Sequence, residues 1–488
     1  MASARSVPTR KTRSKVEKTP TGISGLDKIT NGGLPGGRTT LIAGGAGSGK
    51  TLFAMEFLVG GIEKFGEPGV AMTFEETGAE LTMNLASLGH DLKALQDRKK
   101  LVLDYVHVER RQIEETGEYD LEGLFIRLDH SIKSINAKRV VLDTIEVLFA
   151  GLRNEAIVRS ELRRLFRWLK DRGVTAVITA EAGDGTTLTR HGLEEYVADC
   201  VIFLDHRVNE QISTRRIRVV KYRGSTHGTN EYPFIINAEG ISVLPITSLG
   251  LDHTASSERV SAGVPGLDDM MGNLGYFRGS SVLITGTAGT GKSSIAASFA
   301  NAACARGERA LYFAFEESPS QILRNMKSLN LPLDRWIKKG QLKIISVRPT
   351  TLGLENHLAS MCQEIETFDP DVVVVDPITN LISVGSQTSV KSMLTRLIDL
   401  LKGKQVTALF TNLSLGADEQ TSTEISSLMD TWIMVRELET DGSRKRAIYV
   451  LKSRGMSHSS DVREFTISDR GVMVRPGSLS RSQVGEQG

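Results

Sequence analysis

The chain has 488 residues, 40% of them apolar and 24% charged, which is a soluble globular composition too long for one ordinary core and calls for two domains. A formal net charge of +2 excludes bulk attraction to nucleic acid or an anionic membrane. The three cysteines, Cys200, Cys304 and Cys362, are too far apart for a CxxC pair, and no run of about eighteen apolar residues occurs, so a disulfide framework, a zinc site and a membrane span are excluded and buried thiols in a cytoplasmic protein are expected.

Residues 1–18 carry Arg5, Arg10, Lys11, Arg13, Lys15 and Lys18 against Glu17 alone. Without apolar periodicity this reads as a disordered, solvated arm. From Thr21 the chain reads TGISGLDKITNGGLPGGRTTLIAGGAGSGKT, and from Ser261 SAGVPGLDDMMGNLGYFRGSSVLITGTAGTGKS. Both segments carry GLD (Gly25 to Asp27; Gly266 to Asp268), a Gly-rich turn and a phosphate-binding loop, Gly44 to Thr51 and Gly286 to Ser293. The offset of about 240 residues makes the chain an internal duplication.

Each loop follows a short apolar run and enters a helical pattern, the context a phosphate loop requires. Its glycines let backbone N–H groups converge on a triphosphate at a helix N-terminus. Gly47, Ser48, Gly49, Lys50, Thr51 and Leu52 are the nucleotide positions of the first loop, and Thr290, Gly291, Lys292, Ser293 and Ser294 those of the second. Lys50 and Lys292 are expected on the β and γ phosphates, with Thr51 and Ser293 on Mg²⁺.

Strand-like VAMTF (Val70 to Phe74) ends in Glu75-Glu76, and ALYFAF (Ala310 to Phe315) ends in Glu316-Glu317. These acids are candidates for activating an attacking water or hydroxyl. Strand alternation predicts that only one of each pair faces the nucleotide. RVVLD (Arg139 to Asp143) and VVVVD (Val372 to Asp376) read as buried parallel strands ending in a Walker B acid for Mg²⁺. KYRGSTH (Lys221 to His227) and KSRGMSH (Lys452 to His458) form a cationic motif fit for the γ-phosphate of the same or a neighbouring subunit, with a charged strand face as the plain alternative. TSTEISSLMDT, Thr421 to Thr431, is dense in hydroxyls, which alone indicates a turn. Domains are therefore expected at 19–247 and 261–470, joined by a Ser/Thr-rich linker at 248–260 and followed by a short tail at 471–488, with a parallel α/β sheet in each half.

The GLD and phosphate-loop pair, FEET and FEES (Phe74 to Thr77; Phe315 to Ser318), the Walker B strands and KxRG-x-x-H together resemble the KaiC family of circadian clock ATPases over residues 20 to 470. The resemblance implies two tandem RecA-like domains, each a mainly parallel twisted sheet flanked by helices, assembled as an ATP-dependent double-ring homohexamer. It implies a slow ATPase in the first ring, and in the second a Ser/Thr autokinase and autophosphatase acting on the neighbouring subunit at Ser426 and Ser427, with Thr421 at a further hydroxyl position. It makes Glu316 the base for the accepting hydroxyl and a metal contact, and Glu75 its counterpart towards water. It carries over Ser87, Lys221, Tyr222, Arg223, Ser225 and His227, and Arg446, Lys452, Ser453 and Arg454, as nucleotide contacts.

Leu329 and Pro377 depart from the family, standing where a tryptophan beside the adenine and a hydroxyl residue beside the second Walker acid are usual. About twenty residues follow Asp469, too few for the family's KaiA-binding tail, so KaiA is not an expected partner, whereas EETGEYDL (Glu114 to Leu121) keeps the segment beside a KaiB docking surface. The alternatives are a RecA- or RadA-like DNA-dependent ATPase and a signalling scaffold assembled by ATP. Near-neutral charge and two complete nucleotide sites weigh against DNA as a partner.

Overall fold

The structure is a computed structural model that describes residues 16–107, 121–149, 155–183, 188–189, 192, 197–209, 212–237, 240–245, 255–414, 425–440 and 443–479. The basic arm before Val16, most of the linker, Thr421 and residues 114–120 lie outside the described residues. Contacts divide the chain into two compact units, Met1–Val208 with Thr214–Ser248, and Leu249–Gly488 with Asn209–Ser213.

In the first unit the strands are β1 (Lys18–Thr19), β2 (Leu34–Pro35), β3 (Thr39–Gly44), β4 (Gly69–Thr73), β5 (Leu101–Tyr105), β6 (Arg139–Asp143), β7 (Thr175–Glu181), β8 (Cys200–Asn209), β9 (Ile212–Tyr222), β10 (Glu231–Asn237) and β11 (Gly240–Val243). Nine of them form one sheet in the order β11-β10-β9-β8-β3-β7-β6-β4-β5. From β8 to β5 the neighbours run parallel, and β9 to β11 turn antiparallel. The central strands are apolar along their whole length because helices cover both faces. Leu41, Val140 and Ile178 belong to the core on one face, and Ile42, Val141 and Val177 to the core on the other.

The second unit repeats this plan with β12 (Arg259–Val260), β13 (Tyr276–Phe277), β14 (Ser281–Gly286), β15 (Ala310–Ala314), β16 (Leu342–Ser346), β17 (Val372–Asp376), β18 (Thr407–Leu413), β19 (Thr431–Thr440), β20 (Ser443–Ser453), β21 (Arg463–Ser468) and β22 (Gly471–Val474). Its sheet order is β16-β15-β17-β18-β14-β19-β20-β21-β22. Both units are RecA-like α/β domains, as the resemblance implies.

The GLD motif closes each sheet at its far edge. Gly25 has φ of 74°, and a Cβ there would lie 1.9 Å from the Val243 carbonyl oxygen on β11. Gly266 has φ of 82° and approaches Val474 on β22 in the same way. Only glycine permits both the left-handed backbone and the contact. Asp27 and Asp268 then accept from the backbone N–H of Thr21 at 3.0 Å and of Ala262 at 2.7 Å. Among the described residues no helix is long and apolar enough to cross a membrane.

Candidate nucleotide sites

Each phosphate loop joins the C-terminal end of a central strand, β3 or β14, to a long helix, Lys50–Phe65 or Lys292–Ala305. The residue before each helix, Gly49 or Gly291, has φ of 98° or 97°, in the left-handed region that glycine tolerates. Lys50 Nζ donates to the carbonyls of Gly44 at 2.8 Å and Gly45 at 2.9 Å. Lys292 Nζ repeats this with Gly286 at 2.9 Å and Thr287 at 2.7 Å. Burial lowers the Lys292 pKa, and the nearby Asp376 and Glu316 oppose that shift.

Asp143 and Asp376 end β6 and β17, each one strand removed from the loop-bearing β3 or β14, and are both buried. Asp143 accepts a hydrogen bond from Thr179 on β7, and Asp376 accepts one from Thr411 on β18. Burial raises the Asp143 pKa, while the hydroxyls of Thr179 and Thr51 and the charge of Lys50 pull it down. The hydroxyl and the ammonium of the first loop thus lie near the first Walker acid. In the second unit Lys292, Ser293, Ser294, Glu316, Asp376 and Asn380 border one cavity of about 520 Å³.

The glutamate pairs depart from the alternation expected of a strand. Both Glu316 and Glu317 border that cavity, because β15 ends at Ala314 and the pair lies in the bend beyond it, where two-residue periodicity no longer holds. What separates them is a partner. Asn325 Nδ2 donates to Glu317 Oε1 at 3.1 Å, and Asn84 Nδ2 to Glu76 Oε2 at 3.2 Å. Glu75 and Glu316 are exposed. Burial, then the charges of Asp376 and Glu316, raise the Glu317 pKa.

The last residue of FEET and of FEES caps the next helix. Thr77 Oγ1 and Ser318 Oγ accept from the N–H of Glu80 and Gln321, each in a capping box. Ser87 ends the first of these helices, exposed, with its Oγ donating to the Asn84 carbonyl at 2.7 Å. Leu329 lines the second-unit cavity.

The cationic motif lies elsewhere. Among the described residues lining that cavity, none is Arg446, Lys452, Ser453 or Arg454. Lys452 Nζ donates to the carbonyls of Ser426 and Met429, both at 2.9 Å, and Arg454 Nη2 to that of Ser427 at 2.7 Å. Ser426 is 5% exposed and Ser427 is open to solvent. Ser453 Oγ and Thr431 Oγ1 stand 2.9 Å apart. Arg446 faces Glu437 across β19 and β20 at 4.0 Å.

In the first unit Tyr222 belongs to the core and not to an open nucleotide face. Its hydroxyl donates to the Gly33 carbonyl at 3.0 Å, its ring lies under Lys18 Nζ, and burial raises its pKa. Lys221, before Tyr222 on β9, faces the other way and is half-buried, and Arg223 lies exposed in the turn beyond the strand. Ser225 Oγ donates to Thr226 O at 2.9 Å, and His227 Nδ1 stands 2.9 Å from Gly228 O.

The residues fit Mg²⁺ and a triphosphate. One buried carboxylate and one loop hydroxyl per repeat form a hard-oxygen set of the kind Mg²⁺ shares with phosphates. Ser48 Oγ is buried without a hydrogen-bond partner, and a Cβ at Gly45 or Gly289 would meet nothing within 4 Å. Thr179, Thr411, Asn84 and Asn325 are functional neighbours that sequence reading missed. Each recurs at the matching place in both repeats, so aligning the halves would have found them. Tyr312, whose Oη donates to Asp376 Oδ2 at 2.6 Å, has no such signal.

The family model described as "ATPase: KaiC" matches residues 19–248 and again 260–478. A Synechocystis protein named circadian clock protein KaiC2 is 55% identical over 471 residues, covering 96% of this chain and 83% of that protein. The circadian clock oscillator protein KaiC of Parathermosynechococcus lividus is 39% identical over 464 residues, covering 94% of this chain and 86% of that protein. That of Synechococcus elongatus is 38% identical over 464 residues, with 94% and 89% covered. Two phosphate loops on RecA-like sheets, each facing a Walker acid, and a double match along nearly the whole chain have one reading: the chain belongs to the KaiC family of ATPases.

Proposed function

We propose that the protein is an Mg²⁺- and ATP-dependent homohexameric double ring in the cytoplasm whose first repeat hydrolyses ATP and whose second repeat phosphorylates and dephosphorylates Ser426 and Ser427 of the neighbouring subunit. The observation that carries the reading is the division of the second site. Lys292, Ser293, Glu316 and Asp376 share one cavity, while Lys452 and Arg454 of the same chain brace the Ser426–Met429 turn outside it. Cations and acceptor hydroxyls on one segment, away from their own loop, suit delivery to the next subunit's nucleotide.

In this reading the loop N–H groups and the Lys50 or Lys292 ammonium bind the phosphates. Thr51 with Asp143, and Ser293 with Asp376 and Glu316, hold Mg²⁺, which when bound neutralises charge on the transferred phosphoryl group. Glu316 takes the proton from the acceptor hydroxyl, Glu75 orients and deprotonates water, and Asn325 and Asn84 keep the second glutamates aside. Lys221 with Arg223, and Lys452 with Arg454 and Arg446, contact a neighbour's phosphates, and Ser87 contacts the nucleotide. A clock or timing role follows from the names of the relatives, and a KaiB-like partner would dock beside residues 114–121.

Lys292→Ala and Glu316→Gln are each expected to abolish phosphate incorporation, followed on a phosphate-affinity gel, while ATP hydrolysis by the first repeat continues. Unchanged phosphorylation in both variants refutes the autokinase assignment. Mass spectrometry of the intact assembly with and without ATP and Mg²⁺ counts subunits and maps the phosphates.

A further inference from the structure

The Walker acid of the second repeat is held by a residue that the first repeat does not have. Tyr312 is 1% exposed and Asp376 is 8% exposed. The phenol Oη donates to Asp376 Oδ2 at 2.6 Å, while Oδ1 accepts from Thr411. Each carboxylate oxygen therefore receives one buried hydroxyl. In the first repeat Thr179 stands for Thr411, but the position of Tyr312 is Ala71. The registers coincide, with Ala71 opposite Val141 and Tyr312 opposite Val374, and the acids two residues further along. The other hydroxyl drawn to Asp143 is Thr51, from the phosphate loop itself.

We propose that Tyr312 is a positioning residue that fixes the plane of the Asp376 carboxylate and thereby sets the divalent-cation affinity of the second repeat independently of the first. The inference rests on the reading that Asp376 and Ser293 hold Mg²⁺. A carboxylate with a donor on each oxygen cannot rotate about its Cβ–Cγ bond without losing a charge-assisted hydrogen bond. Its remaining lone pairs keep fixed directions beside Ser293 and Lys292 on the cavity wall. In a buried setting such bonds are stronger than in water, and partners behind a metal ligand commonly govern affinity by about 10–100-fold. The first repeat lacks this brace, and its acid shares the loop hydroxyl that a cation also requires.

A core tyrosine also needs a partner for its own hydroxyl, so the test must separate cation affinity from packing. Tyr312→Phe keeps the ring and removes only the donor. The full chain, wild type and Y312F, is titrated with Mn²⁺ in the presence of a non-hydrolysable ATP analogue, bound ion is followed by electron paramagnetic resonance, and thermal unfolding is recorded beside it. The expected result is two Mn²⁺ sites per wild-type chain, and in Y312F one site unchanged and one weakened by about tenfold or more. Affinities at both sites in Y312F unchanged from wild type, or equal weakening of both, overturns the proposal even where the unfolding temperature falls. A wild-type chain that binds fewer than two ions removes the reading of Asp376 as a ligand, and the proposal with it.

Discussion

Glu56 shows how one residue separates the repeats. It lies on the helix behind the first phosphate loop, is 8% exposed, and accepts from the Ile241 N–H at 2.7 Å. Ser298 holds the corresponding place in the second repeat and donates to the Ser294 carbonyl. Burial pushes the Glu56 pKa up to about 7, with the Ile241 bond and Lys64 opposing. A raised carboxyl pKa means that this group's stability contribution is complete below its ordinary value near 4.5 and is lost as pH rises through about 7. Glu56→Gln keeps an acceptor for Ile241 and removes the titration. It should raise the stability of the first domain by up to about 3 kcal/mol at mildly alkaline pH, with the gain fading towards acid pH. Unfolding temperatures of both proteins across that range check it, and a gain that does not vary with pH refutes it. At the second loop, Gly291→Ala would place a Cβ 2.4 Å from Ile467 Cδ1 at φ of 97°. A loss of about 1–2 kcal/mol and weaker ATP binding, measured by denaturation and by nucleotide titration, are expected.

At the scale of elements, the glutamates are placed by the helix that follows them. A capping box starts that helix immediately after the pair, so its first turn fixes the bend, and seven residues after the cap the helix presents Asn84 or Asn325 to the second glutamate. Ser318→Ala removes one end of the box and should cost about 1 kcal/mol. It should also slow phosphorylation more than it weakens nucleotide binding, since the bend and not the phosphate loop is disturbed. Calorimetry and a phosphorylation time course together check this, and equal losses in both activities would contradict it. The cationic motif is likewise an element's work. The end of β20 aims Lys452 and Arg454 at carbonyls of the hydroxyl-bearing turn, so that turn is braced by the motif that the sequence reads as a phosphate contact or a charged strand face.

On the scale of the molecule, two domains of one plan differ in how their N-terminal segments are fastened. Arg139 is fully buried in the first domain, donating to the carbonyls of Phe57 at 2.8 Å and Pro20 at 2.7 Å and pairing with Glu67 at 2.7 Å. Val372 holds the equivalent strand position in the second. Arg139→Met strands buried acceptors and should destabilise the first domain by on the order of 3 kcal/mol. Calorimetry without nucleotide should show one transition lowered and the other unmoved. A common shift of both transitions would mean that the domains unfold together.

The sequence alone determined whatever is a local or repeated property. The loop glycines and their helix declare the phosphate site, β-branched runs ending in Asp143 and Asp376 declare buried parallel strands, and the second copy of each motif confirms the first. These are set by φ preference, by burial on both faces and by spacing along the chain, all of which can be read in one dimension. Tertiary structure alone decided which side chains meet across strands. It put Tyr312 on Asp376, 64 residues away, because β15 pairs with β17. It sank Tyr222 into the core, brought both Glu316 and Glu317 to one cavity, and laid Lys452 and Arg454 against the Ser426–Met429 turn. No period or motif encodes those contacts, since each depends on sheet order and on where a strand stops.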